Sequence, residues 1–111
     1  MKTFFAIALA LIVVLFAVHG SLYAAGDAAK GKDLYLKKCK ACHAEDGNGT
    51  PAMLKKFGEK LKPLGSAAVQ GMNDEAMTKA FKAAANHKAL LKTTPDPDLD
   101  NIVAHIRTLK K

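Results

Sequence analysis

Beyond residue 26 the apolar positions recur every three or four residues, and nowhere do they alternate as in a strand, so the pattern predicts an all-α domain. A first helix is predicted near residues 27–40, with Gly31, Leu34, Tyr35 and Lys38 on one side. Thr50 as N-cap and Pro51 at the first helical position open a second, whose stripe is Met53, Leu54, Phe57 and Leu61 and which Pro63 stops. Asn73 caps a third, with Asp74 and Glu75 in the first turn, where the helix dipole favours negative charge. Its buried side is Met77, Ala80, Phe81 and Ala84, and Asn86 is the predicted C-terminal cap. The last helix starts around Asp96 and Pro97, buries Leu99, Ile102, Val103, Ile106 and Leu109, and carries Arg107, Lys110 and Lys111 at its negative end. Gly47, Gly49, Gly65 and residues 93–97 fall in loops, with an extra turn predicted at residues 66–70. The architecture predicted is one compact domain of about four helices, without repeats.

The first 25 residues read differently. Met1 and Lys2 form a short basic start, residues 4–18 are an uncharged apolar run of 15, and small residues follow at Ala24, Ala25 and Gly26. That order predicts a cleaved secretory signal peptide over residues 1–25 and a mature domain over 26–111, placed in a bacterial periplasm. The run is shorter than the roughly 20 residues of a membrane-spanning helix; an uncleaved anchor extended by Leu22 and Tyr23 is the alternative. No cysteine lies near the cleavage site, which excludes a lipoprotein anchor. A domain of this size buries little core and often leans on a disulfide, a metal or a cofactor.

The formal charge of +7 includes Lys2, which leaves +6 for the rest of the chain. Lysines gather before and after the cysteines, at Lys30, Lys32, Lys37, Lys38 and Lys40 and again at Lys55, Lys56, Lys60 and Lys62. Much of this is solvated helical surface; it also suits steering toward acidic redox proteins or membrane-bound redox complexes. Aromatics make up only 6% of the chain and offer no stacking platform, so nucleic acid is excluded as a partner.

Cys39-Lys40-Ala41-Cys42-His43 is a C-x-x-C-H run, the pattern of c-type haem attachment. Two thiols three positions apart at a helix end can each form a thioether to one of two vinyl groups on the same porphyrin edge. The histidine beside them then reaches iron as the proximal ligand. A thioredoxin-like site would follow a strand, which the pattern does not contain. Structural zinc wants four ligands, and a plain disulfide would leave His43 unexplained. The cofactor predicted is one covalent haem c.

With these residues in view the chain resembles the class I cytochrome c family, over nearly all of residues 26–111. Gly31, Tyr35 and Cys39 stand at the spacing of that family's first helix, and Ile102, His105 and Leu109 where its last helix meets the first. The resemblance implies helices packed around one haem, single-electron transfer, and a Pro51 carbonyl hydrogen-bonded to His43. It also implies a methionine ligand in the loop before the last helix, and this chain has none there. Aligning Asn73-Asp74-Glu75 with the start of the family's third helix puts His87 and Lys88 at that place, so His87 is the expected distal ligand. Met72, Met77, Lys88, His105, Met53 and an open site are the alternatives, with Met77 and His105 better suited to packing. The function expected is a non-enzymatic electron carrier whose association with partners slows as salt rises. A gas-binding haem protein and a haem subunit of a larger complex are the alternatives. No small-molecule substrate and no catalytic residue is indicated.

Overall fold

The computed structural model describes residues 26–111; the expected signal peptide lies outside the described residues. Seven α-helical segments and no strand occur among the described residues: α1 Ala28–Lys38, α2 Lys40–His43, α3 Pro51–Phe57, α4 Ala67–Gln70, α5 Asp74–Ala83, α6 Lys88–Leu91 and α7 Asp96–Thr108. Three of these, α2, α4 and α6, are single turns of four residues, so the long helices number four and the all-α expectation holds. Among the described residues, no helix is long and apolar enough to cross a membrane.

The helix starts follow their caps. The Asp27 carboxylate accepts the Ala29 and Lys30 amides at 2.9 and 3.1 Å. Asn73 accepts Ala76 N–H at 2.7 Å, and Pro51 begins α3 just after Thr50. Each cap satisfies amides that a helix start leaves without partners. α5 ends earlier than the sequence suggests. The cap is Ala84, with extended backbone (φ −69°, ψ 122°), and Asn86 instead lies inside a 3-10 turn, Ala85–His87.

The frame of the fold is the crossing of α1 and α7. A Cβ built on Gly31 would lie 1.7 Å from the Asn101 carbonyl oxygen, so the two backbones meet where no side chain intervenes. Beside that crossing, the Asn101 side chain accepts Asp27 N–H at 2.7 Å. Below it Tyr35, Cys39 and Ile102 form one buried apolar cluster. Val69, Met77 and Val103 form a second on the side of α4 and α5. Arg107 fastens α7 to the second cluster's loop, donating to the carbonyls of Gln70 and Met72 (2.9 and 2.5 Å) and to Asp74 (2.8 Å).

Candidate functional site

α1 stops at Lys38, and Cys39 N–H donates to the Tyr35 carbonyl at 2.8 Å. The chain then re-enters helix for the single turn α2, in which the Cys42 and His43 amides both reach the Cys39 carbonyl, at 3.2 and 2.9 Å. This turn brings Cys39, Cys42 and His43 onto the wall of a cavity of about 680 Å³. Cofactor sites span roughly 300–1,000 Å³. Every later helix contributes to the wall, among them Phe57 of α3, Val69 of α4, Phe81 of α5, Leu90 of α6 and Ile102 of α7. Its charged residues are Lys38, Lys60 and Lys62, with no carboxylate.

Both cysteines are free thiols, Cys39 buried and Cys42 exposed. Burial pushes the Cys39 thiol up to about 11, against the pull of the Lys38 ammonium. At Cys39 burial therefore favours a neutral sulfur over the thiolate that zinc requires. Among the described residues no group of three or more His, Cys, Asp or Glu side chains is gathered to hold a metal ion unaided.

His43 has its Nδ1 buried without a hydrogen-bond partner. Burial first, and then the nearby His87, lower its pKa, which keeps the ring neutral as a metal ligand must be. The contact expected from the Pro51 carbonyl is not made. Pro51 opens α3, so its carbonyl points along the helix toward the amide four residues on.

His87 comes back over the end of α5. After Ala84 the 3-10 turn returns the chain, so that His87 Nδ1 lies 2.9 Å from the Phe81 carbonyl and the imidazole stacks on the Phe81 ring at 4.3 Å and 25°. A carbonyl only accepts, so Nδ1 carries a proton, and in the neutral ring the lone pair is then on Nε2. The same bond satisfies one of the carbonyls a helix C-terminus leaves open. Both histidines line the cavity, with ring centres 6.1 Å apart and planes at 48°. A metal–imidazole bond is about 2.0–2.1 Å and the ring centre lies roughly 1.1 Å further, so two imidazoles on opposite sides of one ion sit about 6 Å apart. The 6.1 Å separation is of the length that one metal ion held between the two rings would require.

Of the other candidates, Met53, Met72 and Met77 also line the cavity, Met77 as part of the buried second cluster. Lys88 and His105 lie outside the wall. Lys88 opens α6, and His105 is buried against Tyr35 with ring centres 5.0 Å apart. Sequence reasoning missed the Phe81 carbonyl as His87's partner and the Tyr35 hydroxyl, which donates to the Ala44 carbonyl at 2.6 Å. Neither leaves a mark in the residue pattern, because each depends on where a turn returns the chain.

An all-helical domain wrapped around one apolar cavity, with a C-x-x-C-H turn in its wall, defines the class of helical haem-binding domains. The sequence profile of the cytochrome c family matches residues 28–110, and the chain belongs to that family. No match was found among curated proteins, and none among solved structures. Membership makes the chain a haem-binding electron-transfer protein, of a family whose members bind haem c covalently and generally carry electrons.

Proposed function

We propose that this chain is an exported, periplasmic single-electron carrier with one haem c, attached at Cys39 and Cys42 and ligated by His43 on the proximal side and His87 on the distal side. The observation that carries this reading is the pair of imidazoles facing one cavity at 6.1 Å, with His87 Nδ1 already committed to a carbonyl. When bound, haem supplies the one-electron redox centre; the chain's own residues set its position, potential and access. Two nitrogen ligands, His43 and His87, would suit transfer, since ligands retained on reduction leave little to reorganise. The lysines of the wall match the anionic propionates, and the surplus of lysine steers the carrier to acidic redox proteins or membrane-bound complexes, an association that slows as ionic strength rises.

His87→Ala tests the assignment. Imidazole donates more strongly than water and favours ferric iron, so the variant's reduction potential should rise by on the order of 0.1 V, a fraction of the ~0.8 V range that axial ligands command. Its ferric spectrum should become high-spin, and the reduced form should take up carbon monoxide rapidly. Low-spin bands and a potential equal to those of the unmodified protein would exclude His87. Rapid carbon monoxide uptake by the unmodified protein would favour ligand binding over transport.

A further inference from the structure

The residue that follows His43 has an unusual backbone. Ala44 has φ 62° and ψ 168°, and among the described residues it is the one non-glycine with positive φ. That region is open to glycine; the Cβ of any other residue crowds the backbone there, and such a conformation persists only where its surroundings over-determine it. The surroundings are specific. Tyr35, on α1, is fully buried, and its O–H donates to the Ala44 carbonyl at 2.6 Å. On the other flank Gly49 N–H donates to the His43 carbonyl at 2.7 Å and Thr50 N–H to the Cys42 carbonyl at 3.0 Å. The His43 ring has no such tie, because its Nδ1 is buried without a partner. The direction of the imidazole is thus left to the backbone on either side of it.

We propose that Tyr35 is a positioning residue for His43: its hydroxyl holds Ala44 in a glycine-type conformation, and that turn aims the imidazole into the cavity. This rests on the reading of His43 as an iron ligand, and not on the identity of the distal one. The tie links α1, which anchors the first cysteine, to the peptide just beyond the histidine, so one hydroxyl couples the attachment point to the ligand.

The test uses the holoprotein and three chains: unmodified, Tyr35→Phe, and Tyr35→Phe with Ala44→Gly. The readout is the ferric low-spin electron paramagnetic resonance signal, whose g-values follow the orientation of the axial imidazole. Tyr35→Phe should shift and broaden that signal, because Ala44 relaxes and the ring loses a single orientation. Adding Ala44→Gly should return it to the unmodified position, since glycine keeps the turn without help; a role in packing alone would not be rescued there. A Tyr35→Phe signal coincident with that of the unmodified protein overturns the proposal, and so does a shift that the glycine leaves in place. If Tyr35→Phe retains no haem, the double variant decides: restored haem and signal support the proposal, continued loss overturns it. Absence of any axial imidazole in the unmodified protein would defeat the ligand reading itself, and it is seen before the variants are compared.

Discussion

His105 is an ionisable side chain in the environment of a core residue. It is 7% exposed, tilted against the Tyr35 ring, with Thr108 Oγ1 3.4 Å from its Nδ1 and Lys32 close enough to matter. Burial lowers its pKa, and the Lys32 charge lowers it further. The consequence for stability has a definite sign. A folded-state value below the ordinary one near 6.5 means that the unfolded chain binds the proton first as pH falls. The stabilisation from neutral His105 is therefore complete above about pH 6.5 and is lost as pH falls through the depressed folded value. Urea melts of the holoprotein between about pH 7.5 and 5 should show stability declining on acidification, and His105→Gln should flatten that decline. Equal slopes for the two proteins would remove His105 as the cause. His87 differs from His105 in one respect that chemistry can use: its Nδ1 is tied to the Phe81 carbonyl while its ring still lines the cavity.

Between elements the decisive contact is the crossing of α1 and α7 at Gly31. A methyl group there meets the Asn101 carbonyl oxygen at 1.7 Å and carbonyl carbon at 2.4 Å, and backbone cannot rotate away as a side chain can. Gly31→Ala should therefore force the helices apart and cost about 3 kcal/mol or more, at the upper end of the usual range for overpacking. A denaturation midpoint shift equivalent to under roughly 0.5 kcal/mol, the ordinary scale of surface changes, would show that the helices can slide to accept it. Gly31 and Tyr35 were legible in the sequence as one face of a helix, and so were the caps Thr50 and Asn73 and the stripe of α7, because each obeys a local rule of spacing or side-chain chemistry. The single turns α2 and α6 were not, since four residues hold no periodicity. The end of α5 was misread for a related reason. Asn86 is a good cap by type, but the chain leaves the helix at Ala84 and the Phe81 carbonyl is satisfied by a histidine side chain. At the site, Cys39, Cys42 and His43 stood out by their fixed spacing. His87 was reached only through resemblance, and its separation from His43 is a tertiary quantity that no spacing encodes.

Across the whole molecule, all six residues of the two buried clusters, Tyr35, Cys39 and Ile102 with Val69, Met77 and Val103, line the same cavity. The core is thus organised around a space as well as around contacts between its own side chains. As a closed void, about 680 Å³ at roughly 24 cal/mol per Å³ would cost on the order of 15 kcal/mol, as much as the entire stability of an ordinary domain. Opened to water, it would instead expose the apolar surface that folding must bury, in a domain too small to recover that area elsewhere. Either route favours a filled cavity in the folded protein, and the attachment proposed at Cys39 and Cys42 would then guard the fold as well as the cofactor. The chain produced without haem should lose most of its far-ultraviolet helical circular dichroism and melt without a cooperative transition, whereas the holoprotein should melt cooperatively. Haem-free chain with native-like ellipticity and a sharp transition would mean that the helices close on one another unaided, and the cavity would then be a site within a finished fold.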